Sequence, residues 1–343
     1  MSLPSVVRPL AAAMFLVSLL AAPVSAQGEG PHFSRFFVFG DSLADTGNVW
    51  LTSKVLARVN PAFSPAPPPS ESPHRTYFNG RFSNGPVFVE YLWQELSGAA
   101  PGTRRALRPY IESPIVGSKT SIDFAFGGTG TPLFDQTPGG LYAPGLRGQV
   151  ELFRLALLGR RAPADALYLI VTGANDYRED QYNEFTPPDV VVSNIAASIE
   201  RLYKAGARTI VVLGLPDLGR LPFADPAASE LTFVHNTLLQ GALASLGAAL
   251  PGSQLVFVDL NGAFERLPSE MDRATPALLA YGLQLGPPRP DLMTCLFTDP
   301  KTCVDAPFAA GAAFAFWDIV HPTTAAHAVL GQYVAEQLRI HLP

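Results

Sequence analysis

The sequence has little charge for its length. Of its 343 residues only 15% are charged and 48% are apolar, and no cluster of lysines and arginines forms a basic stripe. Without such a stripe, nucleic acid is not an expected partner. So low a charged fraction also excludes a disordered chain, and the apolar fraction predicts a full hydrophobic core.

Beyond its N-terminus, the chain lacks the run of roughly 20 apolar residues that a membrane span needs. At the N-terminus, Arg8 precedes a shorter apolar run over residues 10–22, which ends in an Ala-x-Ala-like segment at Ala26. This pattern predicts a secretory signal peptide over residues 1–26, cleaved after Ala26, and a mature secreted or periplasmic domain over residues 27–343. A buried core helix is the alternative interpretation.

Cysteine is also scarce, since Cys295 and Cys303 are the only two. In an exported protein an isolated pair eight residues apart predicts one disulfide, and two free buried thiols are the alternative. We see no histidine or acidic partners at metal-ligand spacing around them. The sequence therefore predicts neither a metal site nor a cofactor.

The sequence contains short apolar runs without polar alternation, and these runs alternate with longer segments in which apolar residues recur with helical period. This predicts a parallel sheet covered by helices on both faces, in one domain with no internal repeat. A Pro-rich surface loop is expected over residues 61–73, and a helix is expected to start near Pro86. The other predicted elements are strands at 36–39, 122–126, 167–172, 209–213 and 255–259 and helices at 148–158, 189–204, 227–250 and 323–340.

Polar residues follow the first of these strands, in the segment Gly40-Asp41-Ser42-Leu43. Ligands of open parallel sheets bind beyond the carboxyl ends of the strands, so Ser42 is a candidate nucleophile there. Gly-Asp-Ser is also a common turn tripeptide. On its own the segment is therefore weak support for catalysis.

A serine hydroxyl needs a base, and a histidine base needs a carboxylate that fixes its tautomer. Asp318 and His321 stand three residues apart, just before the last predicted helix. Glutamates also stand three residues before His32 and His74, but in an N-terminal segment and a Pro-rich loop. We therefore expect Asp318 and His321 to serve Ser42; the alternative is a helix cap by Thr323 with an incidental surface histidine.

Two other strand ends could supply donors to an oxyanion. Gly127 and Gly128 close the second predicted strand, where glycine lets backbone N–H groups approach a ligand. Asn175 follows the third strand and could donate from its side-chain amide. Taken singly, such turns are ordinary loop chemistry.

Motifs of other enzyme classes are absent. There is no Gly-x-Ser-x-Gly nucleophile elbow, and the glycines at 127–130 lack the last glycine of a dinucleotide fingerprint. Residues 117–120 lack the upstream glycine of a phosphate loop.

Taken together and in order, the blocks resemble the SGNH hydrolase superfamily and, within it, the GDSL lipase/esterase family. The resemblance runs from Gly40-Asp41-Ser42-Leu43 through the glycine block and Gly173-Ala174-Asn175-Asp176 to Asp318-x-x-His321. It covers nearly the whole mature chain. Asp123 stands where the family usually has asparagine.

The resemblance implies a three-layer α/β/α domain of flavodoxin-like type, with a five-stranded parallel sheet, and it implies roles. Ser42 would attack an ester carbonyl, His321 would take and return the proton, and Asp318 would orient His321. The oxyanion would be held by the N–H of Ser42, the N–H of Gly128 (chosen over Gly127) and the amide of Asn175.

The function predicted is hydrolysis of a small-molecule or lipid ester through an acyl-enzyme. Two alternatives stay open, an acyltransferase that uses the same site and a catalytically silent secreted binding protein. Loops at residues 50–77 and 131–146 are expected to form the pocket walls, and the sequence does not choose among acyl chains, choline esters and acetylated sugars.

Overall fold

The computed structural model describes residues 31–73, 75–99, 101–103, 105–117, 119–178, 186–222, 224–271, 294–298, 303 and 314–342. The predicted signal peptide and His74 lie outside these residues. In the part of the chain described, no helix is long and apolar enough to cross a membrane.

The centre of the fold is a parallel sheet of six strands. The strands in chain order are β1 Phe36–Gly40, β2 Leu107–Pro109, β3 Ser121–Asp123, β4 Phe134–Gln136, β5 Tyr142–Pro144, β6 Leu167–Val171, β7 Thr209–Leu213 and β8 Gln254–Val258. The spatial order in the sheet is β2-β3-β1-β6-β7-β8, and β4 and β5 form a separate antiparallel hairpin.

Helices cover both faces of this sheet. In chain order they are α1 Asn48–Leu56, α2 Phe88–Ser97, α3 Leu146–Ala156, α4 Pro188–Ala205, α5 Ala228–Ala249, α6 Asn261–Glu270, the short α7 Cys295–Thr298 and α8 Thr324–His341.

The two faces of the sheet carry separate cores because successive side chains of a strand point to opposite sides. Phe36 and Val38 of β1 pack with α2, α6 and α8. Phe37 and Phe39 pack with α3, α4 and α5 on the other face. The predicted α/β fold with helices on both sides is confirmed.

The predicted number of strands is wrong, because the sheet has a sixth strand, β2, at its edge. β2 pairs with β3 in the register Leu107 opposite Ser121. It is only three residues long and ends in Pro109, a residue that sheets tolerate at edge positions. Such a strand carries almost no periodic signal. The other five strands have the predicted parallel order of a flavodoxin-like sheet.

The order of the strands also determines where a site can form. After β1 the chain forms β2 and β3 on one side of β1 and then crosses over to form β6 on its other side. The crevice beyond the carboxyl ends of β1 and β6 is therefore the switch point of the sheet, where open α/β folds bind ligands. Ser42 and Asn175 follow these two strands.

Candidate active site

The loop after β1 carries Ser42 into a cavity. Gly40 ends the strand, and a Cβ there would lie 2.0 Å from the backbone oxygen of Val171 on β6, so only glycine fits. Gln149 of α3 holds the same residue, since its Oε1 accepts from Gly40 N–H at 2.7 Å and its Nε2 donates to Gly40 O at 2.8 Å. The loop that carries Ser42 therefore starts from a backbone held on two sides.

Ser42, His321 and Asp318 form one chain of hydrogen bonds. The Oγ of Ser42 lies 2.8 Å from Nε2 of His321, and Nδ1 of His321 lies 2.7 Å from Oδ2 of Asp318. An ionised carboxylate only accepts, so Nδ1 carries the ring proton and Nε2 is left to accept from Ser42. Ser42 and His321 are 279 residues apart in sequence, so the tertiary fold brings them together.

Asp318 is ionised because hydrogen bonds and charge outweigh its burial. Its Oδ1 accepts from the N–H groups of Val320 and His321, at 2.9 and 2.8 Å. Its Oδ2 accepts from Tyr77 Oη at 2.7 Å in addition to His321. Burial alone would raise the pKa of Asp318, but the charge of His321 and these bonds lower it to about 2.

The loop that carries Asp318 and His321 is held by its neighbours. Trp317 N–H donates to His321 O at 2.7 Å, which closes the loop. Thr323 caps α8 by accepting from the N–H of Ala326. The Thr323 cap of the alternative interpretation is therefore present, but His321 also lies beside Ser42.

The two cysteine sulfurs lie at disulfide-bonding distance, 1.93 Å apart. Cys295 and Cys303 are buried with Phe314 and Trp317. The N–H of Cys295 donates to Phe316 O at 3.0 Å, and the next residue donates to Trp317 O. The cysteine-bearing helix α7 therefore supports the residues that immediately precede Asp318.

The candidate oxyanion donors lie around the same serine. Gly127 N–H is already used, because it donates to Asp45 Oδ2 at 2.9 Å. Gly128 has φ +78° and lines the cavity with Ser42 and Asn175. Among the residues described, the N–H groups of Ser42 and Gly128 have no acceptor. They are therefore available to a ligand, whereas Gly127 is not.

Arg178 determines how the Asn175 amide is oriented. Its Nη1 donates to Asn175 Oδ1 at 3.1 Å, and its Nη2 donates to Gly128 O at 3.2 Å. The Asn175 Nδ2 then faces the glycine loop and donates one hydrogen to Thr129 O at 3.1 Å. Its second hydrogen stays available for a ligand. The sequence offered no signal for Arg178, which is a solvent-exposed residue after the Asn-Asp turn.

Asp123, the residue that replaces the usual asparagine, connects the loop after β3 with the loop that carries Ser42. Its Oδ2 accepts from the N–H and the hydroxyl of Thr46, at 2.7 and 2.8 Å, and its Oδ1 accepts from Ala125 N–H. Burial and the nearby charge of Asp45 raise the pKa of Asp123 well above its usual value. Burial also raises the pKa of Asp45 to about 6, against the effect of the backbone N–H groups that donate to it.

Next to Ser42, Asp41 is also a buried acid. Burial raises its pKa to about 7, although a hydrogen bond from Leu43 N–H and the charge of His321 act in the other direction. It lines the cavity but makes no direct hydrogen bond to His321 among those described.

The cavity at these residues has a volume of about 990 Å³. The loops at 67–69 and 137–139 form part of its wall, as expected from the sequence. Most of the cavity lining is apolar. The apolar side chains that line it include Leu215, Leu218, Leu221, Leu231, Leu260 and Phe264. The volume lies at the upper end of the range for small-molecule sites.

Two other acid–histidine pairs in the sequence have the same spacing but were not expected to serve Ser42. Glu29 and His74 of these pairs lie outside the described residues. Glu71 pairs with Lys54 on the surface, at 2.6 Å. Within the described ranges, no group of three or more His, Cys, Asp or Glu side chains could hold a metal ion.

Fold and site together define an α/β protein with a hydrogen-bonded Ser-His-Asp set at the switch point of a parallel sheet. The sequence profile of the GDSL-like Lipase/Acylhydrolase family matches residues 36–334, and the chain belongs to this family.

Similar proteins cover nearly the whole chain. The phosphatidylcholine-sterol acyltransferase of Aeromonas hydrophila is 28% identical over 93% of this chain and 94% of its own length. Two GDSL esterase/lipases of Arabidopsis thaliana are 27% and 30% identical, over 94% and 90% of this chain and 96% and 90% of their own. The family and the two Arabidopsis thaliana relatives support hydrolysis of ester bonds.

Proposed function

We propose that the chain is an exported serine hydrolase that cleaves carboxylic esters, with Ser42, His321 and Asp318 as its catalytic triad. The observation that carries the proposal is the continuous hydrogen-bonded path from the Ser42 hydroxyl through the His321 ring to an ionised Asp318. A serine becomes a nucleophile at neutral pH only when such a base takes its proton.

In the proposed first step, Ser42 Oγ attacks the ester carbonyl carbon while its proton moves to His321 Nε2. The carbonyl oxygen becomes an oxyanion that the N–H groups of Ser42 and Gly128 and the Asn175 amide hold. When the bond to the leaving alcohol breaks, His321 returns its proton to that alcohol. An acyl-enzyme on Ser42 remains.

In the second step His321 takes a proton from water, and the resulting hydroxide attacks the acyl carbon. Collapse of this second oxyanion breaks the bond to Ser42 Oγ, which recovers its proton from His321. Asp318 keeps the imidazole in one tautomer and stabilises its charged form throughout. The balance is one ester and one water converted to one acid and one alcohol.

We expect Ser42→Ala to abolish hydrolysis of a short p-nitrophenyl ester and to leave the fold intact. The reason is that no other hydroxyl takes its place beside His321 Nε2 among the contacts described. The matched control is Ser245→Ala, on the exposed surface of α5, which should keep wild-type turnover. Retained turnover in Ser42→Ala would remove Ser42 from the proposed triad. Failure of a phosphonate ester to label Ser42 in the wild type would instead favour a catalytically silent binding protein.

The substrate proposed is an ester with an apolar acyl group, since the larger part of the cavity is apolar. Burying one methylene is worth about 0.8 kcal/mol, or roughly a fourfold rise in kcat/KM for each carbon that the cavity accommodates. Initial rates on p-nitrophenyl esters from acetyl to palmitoyl test this. A flat dependence on chain length would contradict it.

Acyl transfer is the second candidate, and the name of the Aeromonas hydrophila relative favours it. In that reaction an alcohol replaces water in the second step. Product analysis with a competing alcohol separates the two activities, because a transferase forms new ester at low alcohol concentration.

Export is proposed from the N-terminal pattern over residues 1–26, and the bonded cysteine pair agrees with an oxidising compartment. N-terminal sequencing of the protein recovered outside the cytoplasm should begin at Gln27. A chain that stays inside the cell with its first residues intact would contradict export.

A further inference from the structure

One oxygen of Asp318 receives a hydrogen bond that the triad alone does not explain. Oδ2 accepts from His321 Nδ1 and also from Tyr77 Oη, both at 2.7 Å. Tyr77 lies 241 residues before Asp318, shortly after the Pro-rich segment 61–73. Two donors therefore converge on the same carboxylate oxygen from opposite ends of the chain.

The Tyr77 side chain is fixed by the structure around it. Its N–H donates to Pro69 O at 2.8 Å. Its ring packs on the buried cluster that contains the two cysteines and Trp317. It also lies edge-on to Phe82, with ring centroids 6.3 Å apart, and Phe82 in turn packs on His321 at 5.2 Å. The hydroxyl therefore reaches Asp318 from a backbone and a ring that are already held.

We infer that Tyr77 is a positioning residue of the proposed hydrolase, whose hydroxyl holds the Asp318 carboxylate and weakens the pull of its Oδ2 on the His321 proton. This inference rests on the proposed function. Tyr77 acts through Asp318, not on the ester itself.

The physical basis is that a carboxylate oxygen with two donors shares its negative charge between them. Without the Tyr77 hydroxyl, more of that charge faces the imidazole, so His321 would hold a proton at higher pH. Asp318 would also lose one of the bonds that fix its plane. Loss of Tyr77 Oη is thus expected to change both the basicity and the alignment of the catalytic base.

Other titratable groups near His321 could also affect its protonation, so their contacts with Tyr77 matter. In the described part of the chain they include Asp41, beside Ser42, and His327, in the first turn of α8, and both interact with the charge of His321. Neither contacts Tyr77 among the hydrogen bonds described. A change caused by Tyr77→Phe is therefore assigned to the Asp318 route.

The test is Tyr77→Phe, assayed as kcat/KM against pH. We expect the acid limb to move up by about half a pH unit. We expect kcat on the plateau to fall about two- to tenfold, with KM changed less than about twofold. The control is Tyr203→Phe, which removes a tyrosine hydroxyl whose partner is Pro251 O at 2.9 Å, far from the site.

Two further measurements separate positioning from packing. In an Asp318→Asn background, Tyr77→Phe should cause no further loss of kcat, because its route to His321 is already cut. An NMR titration of His321, one of only six histidines, should show the same upward shift without turnover.

An unmoved His321 titration, a full additional loss in the Asp318→Asn background, or a rise in KM alone would overturn the inference and make Tyr77 a wall of the cavity. Failure of Tyr77→Phe to fold beside a folded Tyr203→Phe would equally count against it. Failure of the proposed function is a different result, since it shows as retained turnover in Ser42→Ala.

Discussion

At the scale of single residues, neighbouring backbone N–H groups of the glycine loop differ in what they are already bonded to. Gly127 donates to Asp45, whereas Gly128 points its backbone into the cavity with a positive φ. A Cβ at position 128 would lie 2.6 Å from Pro138 Cδ, so glycine is required there on both counts. The choice of Gly128 over Gly127 as the proposed donor now has a physical reason.

Asn175→Ala should lower kcat about a hundred- to a thousandfold, the usual cost of one oxyanion donor. KM should change little, because the amide is expected to bind the charge that develops in the reaction. Steady-state kinetics on a p-nitrophenyl ester measure both. Asn60→Ala, at an exposed turn before Pro61, is the matched control with unchanged kcat. A loss confined to KM would assign Asn175 to substrate binding instead.

The sequence could predict the proximity of Ser42, Asp318 and His321, because strand ends converge and a three-residue spacing fits one short loop. It could not predict Tyr77 or Arg178. Both follow segments that are recognisable in the sequence, but the partners of their side chains are set by the tertiary fold. The candidate catalytic residues could thus be predicted from the sequence, whereas the residues that hold them in place could not.

At the scale of elements, the hydrogen bonds between α3 and the end of β1 determine where the loop that carries Ser42 begins. Gln149 is fully buried, and its amide makes two bonds to Gly40 and one to Pro144 O. The helical period predicted α3 over residues 148–158, close to the observed Leu146–Ala156. Helical periodicity does not predict that Gln149, a polar residue near the start of α3, faces inward and forms hydrogen bonds with a strand.

Gln149→Leu should lower the free energy of unfolding by about 1–3 kcal/mol, because the buried N–H of Gly40 loses its acceptor. Urea unfolding followed by circular dichroism measures this. Gln240→Leu, on the exposed face of α5, is the matched control and should change stability by less than about 0.5 kcal/mol. Equal stabilities of the two variants would show that the Gly40 N–H finds another partner.

At the scale of the whole molecule, buried acids gather at the carboxyl ends of β1, β3 and β6. Burial raises the pKa of Asp41 to about 7 and those of Asp45 and Asp176 to about 6, and Asp123 is raised as well. A raised folded-state pKa contributes stability below the unfolded value of about 4, which is lost as pH rises through the folded value. These acids therefore favour the folded state at mildly acidic pH.

Two buried histidines act in the opposite direction. Burial lowers the pKa of His235 to about 4 and that of His327 to about 3. Their contribution is present above the unfolded value of about 6.5 and is lost as pH falls below it. The overall pH dependence of stability is thus a difference between acids and histidines. A single substitution is therefore needed to measure the contribution of the acids separately from that of the histidines.

Asp123→Asn isolates the acid side. The substitution removes a group whose stabilising contribution is lost as pH rises above about 4, the unfolded value, because burial raises its folded-state pKa. It also relieves Asp45 of a neighbouring charge. The free energy of unfolding of the variant minus that of the wild type should therefore increase with pH, by at most about 1.4 kcal/mol per unit. Urea titrations at half-unit steps from pH 4 to pH 8 measure the difference. Asp165→Asn, an exposed carboxylate before β6, should give curves parallel to the wild type. If the Asp123→Asn curves were also parallel, Asp123 would not carry a raised pKa, and the asparagine usual at this position would differ from it only in hydrogen bonding.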